Sequence, residues 1–206
     1  MSEIVDQAEL RALLGDPSPR AIAKERVALH ARDKEWISLS PFVVLATSDA
    51  DGNCDASPKG DPAGFVHVLD DHTLAIPERP GNRRADGYLN ILSNPRVGVI
   101  FLIPGRGETL RINGKARLVR DAPYFDDMVV KGHRPILAVE VQVEQIFLHC
   151  AKAFLRSGLW NPEQWPVDTL PNQARLVKEL QPESTETVEQ LEKHYSHTYE
   201  ELLYKS

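Results

Sequence analysis

Residues 53–84 read NCDASPKGDPAGFVHVLDDHTLAIPERPGNRR, and they carry a strand, a hairpin and a cluster of cations in close succession. Ser57 and Lys59 fall at the end of a predicted strand over 55–58, where Pro58 and Gly60 predict an irregular exit into a loop. Residues 65–69 and 73–76 follow as a second hairpin across Asp70 and Asp71. Arg79, Asn82, Arg83 and Arg84 then stand at the start of a predicted helix over 82–92, with Asn82 as its N-cap and Asn94-Pro95 as its stop. Three arginines in six residues run against a helix dipole that favours acidic groups at this end. A bound phosphate monoester would relieve that repulsion and take bidentate bonds from the guanidiniums. The competing reading is a surface cluster paired with Glu78 and Asp86. The anion site is the stronger of the two, because a broken local rule often marks a ligand.

The pattern on either side is that of a small antiparallel β protein. Residues 42–47 (FVVLAT) form a short apolar run, and 48–52 (SDADG) read as the hairpin turn into the strand at 55–58. Residues 97–103 (VGVIFLI) predict a central strand. Residues 108–119 and 136–148 alternate as half-buried strands, with Gly114 expected at a bulge or a close backbone approach. A short helix is predicted over 122–130. Gly87 inside the helix over 82–92 counts against it by about 1 kcal/mol relative to alanine. Six or seven antiparallel strands joined mostly by hairpins predict a small barrel, mainly β with flanking helices.

Ahead of the strands, amphipathic spacing predicts helices over 4–14, 21–30 and 34–39. Beyond Trp160, prolines make an irregular connection, followed by predicted helices over 173–180 and 186–203. The organisation expected is a helical segment 1–40 packed on the barrel, the barrel itself over 41–166, and a helical extension over 167–206. At 206 residues, 42% hydrophobic and 26% charged, the chain can bury a full core without disulfides or metals. A net charge of −6 gives little support to sequence-independent nucleic-acid binding. No apolar run approaches the length of a membrane span, and the acidic start MSEIVDQAEL lacks a secretion signal, so a cytoplasmic protein is expected. Cys54 and Cys150 are expected as free thiols buried in strands.

Two further groups of cations have their own readings. Arg111, Lys115 and Arg117 share one face of the strand over 108–119, expected to be solvated or at a subunit contact, with Arg111 nearest a ligand. After the last long strand, Lys152, Arg156 and Trp160 would recur on one helix face, able to clamp a flat charged ligand or simply to pack on the barrel. No HExxH, zinc-ribbon or EF-hand pattern is present, and His194 and His197 have no local companions for a metal. A GxSxG elbow and a Walker loop are also missing. Gly105-Arg-Gly107 is a turn between strands, since a dinucleotide fingerprint would need a helix to follow.

Six pieces in order resemble the FMN-binding split β-barrel family typified by pyridoxamine 5′-phosphate oxidase, and within it a bacterial subgroup of related FMN-dependent proteins. They are residues 42–47 with the turn to Gly52, then 56–61 (ASPKGD), 76–84 (IPERPGNRR), 90–98 (NILSNPRVG), 108–116 (ETLRINGKA) and 149–160 (HCAKAFLRSGLW). The resemblance implies a homodimer with FMN at the subunit interface. By position it implies Arg79, Arg83 or Arg84 as phosphate ligands, with Lys59 or Ser57 nearby. It further implies Asn82 and Asn90 toward phosphate or ribityl groups, Arg111 facing the cofactor, and Trp160 arriving from the partner subunit. The vitamin-B6 oxidases carry an Arg-x-His substrate motif near the C-terminus. Residues 194–206 (HYSHTYEELLYKS) lack it, so the substrate site does not carry over. The activity implied is that of an FMN-dependent oxidoreductase, in which the flavin supplies the redox chemistry. The alternatives are a flavin-binding or sensory protein without rapid turnover, and a split barrel holding a deazaflavin or haem.

Overall fold

A computed structural model describes residues 2–167, 169–196 and 202–205. Seven antiparallel strands make one sheet: β1 (Phe42–Ser48), β2 (Cys54–Gly60), β3 (His67–Val68), β4 (Thr73–Pro77), β5 (Arg96–Leu102), β6 (Thr109–Val119) and β7 (Ala138–His149). Their order is β2-β1-β5-β6-β7-β4-β3, so the two halves of the 53–84 stretch lie at opposite ends of the sheet. Alternation decides which side is core. Val43 and Leu45, then Val97, Val99 and Phe101, then Leu110 and Ile112 and finally Val139, Val141 and Ile146 are all buried in one cluster.

The parity of β7 changes once. Asn113 pairs with Gln145 but Gly114 pairs with Val143, which leaves Glu144 as the extra residue of a bulge. That extra residue lets odd-numbered valines and then Ile146 face the same core. Gly114 is the close-approach point the sequence predicts: a Cβ there would stand 1.9 Å from the Gln142 carbonyl oxygen. Pro58 is tolerated inside β2 because β2 is an edge strand with only β1 as a neighbour. The irregular exit predicted at Pro58 and Gly60 does not occur, and pairing with β1 stays regular to Gly60 opposite Phe42.

Helices flank the sheet: α1 (Gln7–Leu14), α2 (Pro19–Ala23), α3 (Ala31–Leu39), α4 (Asp86–Ser93), α5 (Lys152–Ser157), α6 (Gln173–Leu180) and α7 (Val188–His194). The helix predicted over 21–30 stops at Ala23, since Arg26 leaves it to bridge Ile146 and the Leu29 amide donates to the Asp71 carbonyl. Backbone bonds to the sheet outcompete local propensity here. His30 caps α3, and Asp33, three residues on and buried, accepts from the His30 amide and holds Arg26 through both carboxylate oxygens. α1 buries no residue. Residues 123–128 form a 3-10 turn instead of an α-helix. Of the helix predicted over 186–203, Val188–His194 is helical, and residues 197–201, with His197, lie outside the described residues. Both cysteines are free but exposed, contrary to the burial expected: Cys54 opens an edge strand and Cys150 follows the end of β7. No helix among the described residues is long and apolar enough to cross a membrane.

Candidate functional site: a basic cavity between an edge strand and a helix start

Strand β2 turns Asp55, Ser57 and Lys59 to one side, each partly buried, while the residues between them are exposed. The loop after β4 brings Arg79, Asn82, Arg83 and Arg84 to the same side. Together they line a cavity of about 600 Å³. α4 closes in tightly because Gly87, in its first turn, has no side chain. A Cβ there would lie 3.0 Å from Asp55 Oδ2 and 3.5 Å from Thr47 Oγ1. The glycine that counts against the helix in sequence is what lets the helix seat against β1 and β2.

Each cation in the cavity is held differently. Lys59 Nζ donates to Glu78 Oε2 at 2.9 Å and to the Tyr88 hydroxyl at 2.7 Å, and lies 4.7 Å from the Tyr88 ring centre. The Tyr88 hydroxyl also donates to Glu78. Arg79 is bound on three sides: Nε to Asp61 Oδ2 at 2.5 Å, Nη2 to the Met128 carbonyl at 2.7 Å and Nη1 to the His133 carbonyl at 3.3 Å. Arg84 Nε donates to Asp86 Oδ2 at 2.7 Å from a side chain that is largely exposed. The Asp86 carboxylate raises the Arg84 pKa further above its ordinary value. Among the described residues, Arg83 is the lining cation that no carboxylate pairs.

The backbone around Arg83 is strained. Arg83 and Ala85 have φ of 60° and 59°, in the left-handed region that non-glycine residues visit at a cost of about 1–3 kcal/mol each. Helix α4 begins at Asp86, four residues later than predicted, and no side chain caps it. Asn82 is not its cap; the Asn82 side chain accepts from the Arg84 amide at 3.1 Å and shapes the loop before it. Asp86 in the first turn offsets part of the dipole, but the first-turn amides keep no side-chain acceptor.

Ser57, Lys59, Arg79, Asn82, Arg83 and Arg84 are therefore gathered in one place, and three other predicted site residues stand apart from that cavity. Asn90 Nδ2 donates to Thr47 Oγ1 at 3.1 Å. Arg111 stacks 5.1 Å from the Phe147 ring centre on the outward face of β6. Trp160 donates to the Arg106 carbonyl at 2.6 Å and stacks on Phe154. Sequence reasoning missed Asp61, Tyr88 and Tyr204 as lining or anchoring groups. Tyr88 sits four residues after Arg84 on the helix face toward Lys59, a spacing that could have marked it. Tyr204 arrives from the far end of the chain and has no local signal.

The structure is that of a seven-stranded split β-barrel with flanking helices and a cation-lined cavity beside an edge strand. The chain belongs to the pyridoxamine 5′-phosphate oxidase family, whose model matches residues 29–150, more than half of the length. Among solved structures, the chain is similar to HupZ of Group A Streptococcus, at 22% identity over 58% of this chain and 93% of that one, with a TM-score of 0.47. It is similar also to a candidate pyridoxamine 5′-phosphate oxidase of Lactobacillus delbrueckii, at 26% identity over 59% and 95%, TM-score 0.46. A third is HutZ, the haem storage protein of Vibrio cholerae, at 16% identity over 59% and 93%, TM-score 0.42. No curated protein matches the chain.

Proposed function

We propose that the protein is an FMN-dependent oxidoreductase that holds the phosphate of FMN in this cavity, on Arg83 and Arg84, with Ser57 and Lys59 at the edge. The observation that carries the reading is the 83–85 loop. Two non-glycine residues in left-handed backbone, a helix start with no side-chain cap and a guanidinium that no carboxylate among the described residues pairs all meet at one cavity wall. Strain of this kind clusters at ligand clamps. A dianion at the helix start would accept from the first-turn amides and from Arg83, and would draw Arg84 away from Asp86. Arg79, already tied to Asp61 and to two carbonyls, fixes the loop that presents Arg83 and Arg84. Lys59 can add its charge from β2 while Glu78 and Tyr88 hold its position.

Membership of the family supports a flavin as the group bound. When bound, FMN supplies two-electron redox chemistry, and the chain's part is to anchor, orient and shield it. Haem is less well served: among the described residues no His, Cys or Met lines the cavity, and the hydroxyls of the lining Tyr88 and Tyr204 are engaged by Glu78 and Asp61. A homodimer with the flavin at the subunit interface belongs to the same proposal, with Arg111 and Trp160 contributing from outside the cavity of a single chain.

The absorbance of the protein as purified is the direct test, followed by mass identification of the ligand released. Flavin bands and a mass equal to FMN support the reading; a Soret band would end it. Anaerobic reduction by NADH or NADPH then separates an enzyme from a binder without turnover. Replacing both Arg83 and Arg84 by Ala is expected to weaken FMN binding at least about tenfold, since a hydrogen bond to a charged group is worth roughly 1.5–3 kcal/mol. An unchanged affinity in the folded double variant would sink the phosphate assignment.

A further inference from the structure

Two residues far along the chain from the strands reach the same cavity. Leu203 and Tyr204 line it together with the 83–85 loop. The Tyr204 hydroxyl donates to Asp61 Oδ1 at 2.5 Å, on the carboxylate whose other oxygen takes Arg79 Nε. Asp61 is almost wholly enclosed, its side chain 1% exposed. The Tyr204 ring stacks on His133 at 6.0 Å between centres, and the Arg79 guanidinium and Lys131 ammonium lie 5.8 and 5.3 Å from its centre. The ring therefore sits in a built socket, between the loop that carries the candidate phosphate ligands and the loop over residues 131–133. Burial and the bond to Asp61 raise the Tyr204 phenol above its ordinary pKa, in keeping with a seated hydroxyl.

We propose that Tyr204 is a wall of the ligand site and determines how firmly the site retains its ligand. With Tyr204 seated, about 600 Å³ remains, within the ~300–1,000 Å³ range of small-molecule sites. Tyr204 is therefore a wall and not a plug. Its seat does two things for a bound phosphate ester. It covers one side of the cavity against water, and it holds Asp61 against Arg79, which keeps the loop bearing Arg83 and Arg84 in place. The proposal rests on the reading of the cavity as an FMN site.

The test compares FMN release from the wild-type protein, Tyr204→Phe, Tyr204→Ala and a chain ending at Leu203, each loaded with FMN and followed by recovery of flavin fluorescence on dilution. Tyr204→Ala and the shortened chain are expected to release FMN about tenfold faster. Tyr204→Phe keeps the ring and loses one hydrogen bond to a charged acceptor, so its effect is expected to fall in between. Carboxypeptidase trimming of the folded wild-type protein gives the same comparison without any substitution that could disturb folding. Release at the wild-type rate from the trimmed protein and from Tyr204→Ala overturns the proposal and leaves the FMN site standing. A wild-type protein that takes up no FMN overturns both.

Discussion

Arg79 and Arg83 look equivalent in sequence and have different duties in the folded chain. Arg79 donates three hydrogen bonds to its own protein, and Asp61, its carboxylate partner, is enclosed. Removing it would leave a buried carboxylate unpaired, a change that commonly costs several kcal/mol. Arg83 has no carboxylate partner among the described residues, so its removal should act on ligand binding and little on folding. Two more single positions can be checked by stability alone. Gly114→Ala would drive a Cβ into a backbone carbonyl of the central β7 ladder, and a loss of about 3 kcal/mol or more in urea unfolding is expected. His149 titrates with the opposite sign to a paired histidine. Although it is exposed at the surface, partial desolvation by the surrounding chain, then the charges of Arg111 and Lys24, hold its pKa below the ordinary value. The unfolded chain therefore binds the extra proton first, and stability falls as pH drops through about 6.5. His149→Gln is expected to lose less of its urea midpoint between about pH 7.5 and 5.5 than the wild type does.

At the scale of elements, the strands were legible and the details of the helices less so. Period-two alternation runs through β1 and β5 and most of β6, and there the sequence pattern and the core agree, whereas in β7 the bulge at Glu144 shifts the parity and residues 138–141 are all buried. Phe101, fully buried in β5, belongs to that shared core. Phe101→Ala is expected to cost ~3–5 kcal/mol, read from the denaturation midpoint at unchanged slope. The helix over 21–30 failed because its residues find better backbone partners on β7 and on the turn before β4. Helix α4 existed as predicted but began later, because its first residues were spent on the strained loop that presents Arg83 and Arg84. Gly87 was evidence against that helix when read by propensity, and became the condition for its packing once β1 and β2 lay beneath it.

At the scale of the whole molecule, the sheet order places β2 at one end of the sheet and the β4-β3 pair at the other, and curling of that sheet brings Lys59 to within hydrogen-bond distance of Glu78. That closure converts one stretch of sequence into a cavity. It also explains why partners such as Asp61 with Tyr204, or Arg79 with Met128, could not be anticipated: each joins residues far apart in the chain. Several large apolar side chains remain exposed on the outside, among them Leu89 and Leu92 on α4 and Leu155 on α5. The homodimer in the proposed function would cover such groups, and light scattering during size exclusion is expected to give twice the 23.1 kDa chain mass.

Taken alone, the sequence determined the strand set, the family and the presence of a cation-rich helix start beside Ser57 and Lys59, because alternation and local charge are properties of neighbours in the chain. Only the tertiary structure decided which cations remain available to a ligand. Lys59, Arg79 and Arg84 have carboxylate partners and Arg83 has none among the described residues, and such pairing depends on distances that folding sets. The same is true of Tyr204, whose place in the cavity wall comes from a contact with Asp61 across most of the length of the chain.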